Sequence, residues 1–256
     1  MIWGHPRLIV HRCGGAFAPE NTLAGLRKAA ELGCRAVEFD VMLSADDTPV
    51  LIHDETLERT TDGHGRVDET SDAELARLDA GSWHSAQFAG EPVPSFGDAA
   101  ELCQALGLWA NVEIKPSTGR EAATGRRVAL EARELWSGLP PPLLSSFSAE
   151  ALAAAREAAP ELPRGLLVEA PPADWLRLLR RLDGVSLHCS GHCLSPQLLG
   201  EARAAGVPLL AYTVNDPEDA GKTGERKDGR DLTSEWQSKF GGQFVYDKAG
   251  FDAINP

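Results

Sequence analysis

The sequence predicts an α/β fold, a (β/α)8 TIM barrel with a small insertion after its second strand. Three features carry that expectation. Short runs rich in Val, Ile and Leu alternate with Ala- and Leu-rich helical patterns, an order that implies parallel strands joined by crossovers. Eight such runs remain once one returning hairpin arm is set aside, the number a closed barrel requires. At 256 residues the chain is long enough to bury a sizeable core, and it reads as a single domain over 1–256.

The elements follow in order. LIV at Leu8–Val10 is the first strand. NTLAGLRKAAELG (21–33) is a helix that Asn21 or Thr22 can cap and Gly33 can stop. AVEFDV (36–41) is the second strand. The alternation then breaks at VMLSADDTPVLIHD (41–54), where only Ser44 to Thr48 separate two apolar arms. A parallel return needs a dozen or more residues, so these arms must pair antiparallel. A turn centred on Asp46–Asp47 brings His53 back beside Phe39 and Asp40. The segment from Glu55 to Pro94 is too long for a simple loop and holds a short helix pattern, SDAELARLDAG (71–81). It reads as an insertion over one end of the barrel. Later strands are LWANVEI (108–114), PLLSSF (142–147), RGLLVE (164–169), GVSLH (184–188), PLLAYTV (208–214) and GQFVYD (242–247). Helical patterns such as EAATGRRVALEARELW (121–136) and SAEALAAAREAA (148–159) lie between them. The stretch from about 221 to 256 is atypical: four of the six lysines (Lys222, Lys227, Lys239, Lys248) but only one leucine, Leu232, occur there.

Composition narrows the function. The net charge of −13 and pI near 5.0 disfavour a nucleic-acid partner. No apolar stretch is long enough to span a bilayer, and the first residues do not form a signal peptide. Five cysteines (Cys13, Cys34, Cys103, Cys189, Cys193) at irregular spacing predict reduced thiols and a cytoplasmic protein. The oligomeric state is left open.

Four clusters fall at successive strand ends: His11-Arg12, Glu38-Phe39-Asp40, His53-Asp54 and Glu113-Ile114-Lys115. Alternate residues of a strand share a side, so Glu38 faces with Asp40, and Glu113 with Lys115. Three carboxylates converging at a barrel mouth would repel one another without a cation. Oxygen ligands of this kind suit Mg²⁺ or Ca²⁺. Two flanking histidines can divide general acid and base work, and Arg12 and Lys115 can hold phosphate oxygens. Each feature alone is ordinary surface chemistry; their ordered co-occurrence is not.

The set HRCGGAFAPENT, AVEFDVMLSADDTPVLIHDETLERTTDGHG and VEIK resembles the glycerophosphodiester phosphodiesterase family. AELARLDAGSWHSAQFAGEPVPSF is similar to that family's small insertion, and YTVND to its Trp-Thr-Val-Asn segment, with Tyr212 in place of Trp. The likeness runs from about Leu8 to Asp216. It implies a small-molecule glycerophosphodiester substrate, hydrolysed to sn-glycerol 3-phosphate and an alcohol. It implies Glu38, Asp40 and Glu113 as ligands of a divalent cation, Mg²⁺ or Ca²⁺, His11 and His53 as the acid/base pair, and Arg12 and Lys115 as phosphate contacts. Glu20 and Asn21 are assigned either to the first loop or to the site. Two departures stand out. Cys13 replaces the usual Gly after His-Arg, where a side chain could either crowd the phosphate-binding turn or be tolerated by it, and the closing helix and strand are reduced to FVYD after a Lys-rich interruption.

Other residues carry weaker expectations. HCSGHC (His188, Cys189, His192, Cys193) invites zinc but lacks a second cluster, and His188 can line the pocket instead. His5, His64 and His84 read as surface or loop residues. Trp83 and Phe88 read as packing within the insertion, or as cover for the alcohol. Tyr212 and Asn215 can line the site. Two readings compete with glycerophosphodiester hydrolysis: a lysophospholipase D with the same site, and a non-catalytic phosphodiester-binding barrel. The complete histidine pair and carboxylate trio oppose the latter.

Overall fold

The computed structural model describes residues 4, 6 and 8–213, together with the backbone of 244–247. Expectations for His5, Asn215 and the Lys-rich stretch lie outside these residues.

The strands are β1 (Leu8–Val10), β2 (Ala36–Leu43), β3 (Pro49–Leu51), β4 (Trp109–Ile114), β5 (Leu143–Ser146), β6 (Arg164–Val168), β7 (Ser186–Ser190), β8 (Leu209–Tyr212) and β9 (Phe244–Asp247). The helices are α1 (Leu23–Glu31), α2 (Asp72–Leu75), α3 (Phe96–Leu106), α4 (Glu121–Leu135), α5 (Ala149–Ala158), α6 (Trp175–Arg181) and α7 (Pro196–Ala205). The sheet order β1-β9-β8-β7-β6-β5-β4-β2-β3, with an additional β1–β2 pairing, closes eight strands into a ring and leaves β3 outside it. β1, β2 and β4 to β8 run parallel. β9 is the exception, antiparallel to both β1 and β8. The strand–helix alternation predicts parallel strands throughout. The chain instead enters this last position from the mouth end of the ring, as an antiparallel neighbour must.

The hairpin expected after the second strand is present. Val41 pairs with Leu51, Met42 with Val50 and Leu43 with Pro49, so the turn centres on Asp46. Ser44 Oγ accepts from the amides of Asp46 and Thr48, both at 3.2 Å, and Asp47 takes the left-handed conformation such a turn needs (φ 61°). Ile52 N donates to Asp40 O at 3.2 Å, which extends the register and delivers His53 beside Phe39. The segment 55–94 covers the outer face of this hairpin. Met42, Val50 and Ile52 from the arms pack with Leu57, Val67, Leu75 and Val93 in a satellite core.

Two cores flank the barrel wall, one under α1, α3, α4 and α5, the other under α5, α6 and α7. A third, Ile9, Ala36, Leu143 and Leu210, is buried apart from both. These four stand two residues below His11, Glu38, Ser145 and Tyr212 on their strands, so they plug the interior beneath the mouth. An apolar floor forces polar side chains upward along the same faces.

α1 presses closely on the loop after β1. Thr22 Oγ1 caps it by accepting from Gly25 N at 3.1 Å, and Gly33 (φ 80°) ends it. A Cβ on Gly25 would sit 2.9 Å from the Cys13 Cβ, so only glycine allows this approach.

Arg164 is 4% exposed and forms no ion pair with a carboxylate among the described residues; it donates to the carbonyls of Leu182 (3.0 Å), Leu162 (2.6 Å), Pro160 (3.2 Å) and Asp183 (3.3 Å). These carbonyls lie at loop and helix ends with no ladder to join. Arg164→Met keeps the bulk and removes every donor. Its expected cost is about 2–3 kcal/mol, read as a lower urea midpoint at unchanged slope. A loss below about 0.5 kcal/mol would mean that water replaces the guanidinium.

Candidate active site

The parallel strands all point their C-terminal ends at one mouth, which holds a cavity of about 150 Å³. Strand alternation fills it from below: Glu38 and Asp40 from β2, Asn111, Glu113 and Lys115 on and just past β4, His188 from β7. His11, Arg12 and His53 enter from the loops above. All seven residues singled out from the sequence as catalytic, phosphate-binding or metal-ligating therefore line this one cavity.

Glu38, Asp40 and Glu113 are 2%, 1% and 7% exposed, and one carboxylate oxygen from each lies within 4.8 Å of the others. Glu38 Oε2 accepts from Arg12 N at 2.9 Å, while Glu38 Oε1 is buried with no hydrogen-bond partner. Burial, then repulsion from Asp40 and Glu113, pushes the Glu38 carboxyl well above the usual carboxylate range. Burial and Asp40 raise Glu113 to about 8. Asp40 goes the other way. Burial would raise it, but His53, Lys115 and Arg12, with a hydrogen bond from Asn21, bring it below its ordinary value. Asn21, in a left-handed conformation (φ 55°), both donates to Asp40 Oδ2 at 2.8 Å and accepts from Asp40 N at 3.1 Å. Its place is thus against one acidic residue, fixing that residue's rotamer.

His11 Nε2 stands 3.8 Å from Glu38 Oε2. His53 is held between two groups of fixed polarity. A carboxylate can only accept, so His53 Nδ1 donates to Asp54 Oδ1 at 2.6 Å; an ammonium can only donate, so Lys115 Nζ donates to His53 Nε2 at 2.7 Å. Nε2 therefore presents its one lone pair to the Lys115 ammonium, which lines the same cavity. Burial lowers the His53 pKa, and Arg12 and Lys115 add to that against the pull of Asp40. Lys115 Nζ is also 3.6 Å from Glu113 and 3.8 Å from Asp40.

Arg12 (φ 49°) and Cys13 (φ 71°) are consecutive left-handed residues, conformations that cost roughly 1–3 kcal/mol each outside glycine. This explains why the resembling family usually has Gly after His-Arg. The Cys13 side chain does not crowd the mouth. It is fully buried among the barrel-wall core residues, and its amide donates to Glu38 O at 2.8 Å.

His188 lines the cavity but is spoken for: its Nε2 pairs with Ser186 Oγ at 2.9 Å, and burial takes its pKa to about 3. Cys189 alternates to the opposite side, into the core under α6 and α7, so the HCSGHC segment does not converge. Among the described residues the acidic trio is the only cluster with metal-ligating geometry. Trp83 and Phe88 pack edge-on against His84, at 5.7 and 5.4 Å, away from the cavity. Tyr212 does line it, with its hydroxyl donating to Val168 O at 2.8 Å and its ring edge-on to Phe147 at 5.6 Å. Sequence reasoning passed over Asn111, Phe147 and Leu167. Period-two counting back from Glu113, or on from Leu143, would have found the first two.

Residues 11–236 match the model of the glycerophosphoryl diester phosphodiesterase family. The chain belongs to that family. A glycerophosphodiester phosphodiesterase of Caldanaerobacter subterraneus subsp. tengcongensis is 32% identical over 83% of this chain and 87% of the relative. Among solved structures, an Oleispira antarctica phosphodiesterase in complex with the product sn-glycerol-3-phosphate superposes with a TM-score of 0.84 at 38% identity, covering 92% of this chain and 96% of that one. A glycerophosphodiester phosphodiesterase from Agrobacterium tumefaciens gives 0.71 at 29% identity, over 84% and 90%. The family match thus spans β2 to β8, the insertion and every strand-end cluster described above.

Proposed function

We propose that the chain hydrolyses glycerophosphodiesters to sn-glycerol 3-phosphate and an alcohol. The observation that carries this reading is the buried trio of carboxylate oxygens at a barrel mouth, flanked by two histidines and two cations. The product held by the Oleispira antarctica relative supports the same substrate class.

Glu38, Asp40 and Glu113 fit a divalent cation. Glu38 Oε1 is an orphaned buried acceptor, and the mutual repulsion of the trio is what a bound charge of +2 relieves. An all-carboxylate set points to a hard ion, Mg²⁺ or Ca²⁺. When bound, such an ion polarises the phosphoryl group and offsets charge that builds on its oxygens. Arg12 and Lys115 bind the remaining phosphate oxygens, the first as a fork and the second as a point charge. As Lys115 turns from His53 to the phosphate, Nε2 of the neutral imidazole is freed, and it takes the proton from the substrate's glycerol hydroxyl as that oxygen attacks phosphorus. The bond from phosphorus to the alcohol oxygen breaks, and His11 supplies its proton. Water then opens the cyclic phosphate with the two histidines exchanging roles. All five cysteines are free thiols, which supports an intracellular setting, and no helix among the described residues is long and apolar enough to cross a membrane.

The test is release of sn-glycerol 3-phosphate from glycerophosphocholine after EDTA treatment and again after adding Mg²⁺ or Ca²⁺. Release that vanishes with EDTA and returns with the ion is expected. A folded protein that releases nothing from glycerophosphocholine but cleaves lysophosphatidylcholine would shift the reading to a lysophospholipase D.

A further inference from the structure

Arg59 lies outside the cavity, yet it touches two of the residues that hold the cavity's working groups. Its Nε and Nη2 donate to Asp54 at 2.5 and 3.1 Å, and its Nη1 and Nη2 donate to Glu20 at 2.8 and 2.7 Å. Both edges of one planar guanidinium are thereby engaged. Asp54 in turn accepts from His53 Nδ1 at 2.6 Å, and Glu20 accepts from Arg12 Nη1 at 2.9 Å. The order is Arg12, Glu20, Arg59, Asp54, His53, alternating in charge and joining two loops 39 residues apart in sequence. Among the described residues no other hydrogen bond holds the Arg12 side chain; its Nε is buried without one, 3.6 Å from Asp40. Arg12 also sits on a strained left-handed backbone, so its aim depends on the carboxylate that meets it.

We propose that Arg59 is a positioning residue for the reaction, a clamp that fixes Arg12 and His53 relative to each other through Glu20 and Asp54. The proposal rests on the roles given above to Arg12 in phosphate binding and His53 in proton transfer. Arg59 itself touches no substrate. The two arms act on different quantities. The Glu20 arm governs how Arg12 meets the phosphate in ground and transition states. The Asp54 arm governs the imidazole, whose misalignment harms only the chemical step. Lysine cannot replace this residue, because an ammonium has no two-edged fork.

The experiment compares kcat and KM of Arg59→Gln, Arg59→Lys, Glu20→Gln and Asp54→Asn on glycerophosphocholine with the cation present. Glu20→Gln should act mainly by raising KM, and Asp54→Asn by lowering kcat. Both Arg59 variants should do both, losing about 10–100-fold in kcat/KM. Their melting temperatures should fall by no more than about 2 °C, since the guanidinium is partly exposed. Unchanged kcat and KM in Arg59→Gln, or full activity in Arg59→Lys, overturns the clamp, as does a loss that tracks unfolding. The second readout needs no turnover: the Nδ1 proton resonance of His53, assigned by its disappearance in His53→Gln. It should move upfield in Asp54→Asn and shift in Arg59→Gln. If the wild-type protein hydrolyses no diester, the proposed function falls while this signal still decides the clamp. A resonance unmoved by Arg59→Gln overturns it.

Discussion

His53→Ala and His11→Ala should each lower kcat on glycerophosphocholine by about 10²–10⁴-fold without unfolding the protein, the range expected for loss of a positioned acid or base. The two losses should differ in kind. A diester whose leaving group is a nitrophenol departs without needing a proton. On that substrate His11→Ala should recover most of its rate and His53→Ala should not, because the attacking hydroxyl must still be deprotonated. The pH profile adds a second mark. His53 is driven below the usual imidazole range by burial, with Arg12 and Lys115 adding to it. A lowered pKa keeps the neutral, proton-accepting form populated to lower pH. The acidic limb of kcat/KM in the wild-type enzyme should therefore fall below the ordinary histidine value of about 6.5. A loss under tenfold in both variants, or recovery of His53→Ala rather than His11→Ala on the activated diester, would remove or invert the assignment.

That such a site can be argued from sequence follows from how barrels are built. Inward positions repeat every second residue, so Glu38 with Asp40 and Glu113 with Lys115 announce their shared side without a structure. The hairpin was legible for a similar reason: the five residues Ser44 to Thr48, four of them polar, cannot turn a chain into a parallel return, and the antiparallel register then fixes where His53 lands. Contacts made by long side chains across loops follow no period. Arg59 reaching Glu20, and Asn21 turning back to Asp40, depend on rotamers and left-handed backbone that no spacing encodes. The direction of β9 was missed on other grounds. Alternation of strand and helix argues for parallel closure only while the pattern lasts, and the sequence AGKTGERKDGRDLTSEW ahead of β9 is a poor amphipathic helix pattern.

Stability of the metal-free protein should fall as pH rises from about 6.5 to 8, opposite to the usual behaviour of a protein rich in paired carboxylates. Glu113 carries the reason. In the unfolded chain its carboxyl titrates near 4.5; in the fold, burial first and Asp40 second hold it up to about 8. Between those values the folded state keeps a proton that the unfolded state has released, so each step up in pH favours unfolding. The contribution is complete below the unfolded value and gone above the folded one. Glu38 is shifted in the same direction by the same causes and adds to the slope. Asp40 and Asp54 are shifted downward, so what they contribute is lost only at acid pH, and the lowered His188 and His53 oppose the slope only below the unfolded imidazole value of about 6.5. For Glu113 the whole excursion is on the order of a few kcal/mol. A divalent cation competes for the same oxygens as the proton. It should therefore raise the melting temperature more at pH 8 than at pH 5.5, reversing the slope. Glu113→Gln replaces the carboxylate with a neutral amide of the same shape. It should flatten the metal-free profile, stabilise the metal-free protein at pH 8, and remove both the cation-induced rise in melting temperature and at least about 10²-fold of turnover. Thermal scans of wild type and Glu113→Gln, in EDTA and in excess Mg²⁺ or Ca²⁺, measure all of this at once. A metal-free profile that rises from about pH 6.5 to 8, or a Gln variant that still gains stability from the cation, would mean that the trio's repulsion is relieved by the protein's own cations, Arg12 and Lys115, and that the carboxylates are not the ion's ligands.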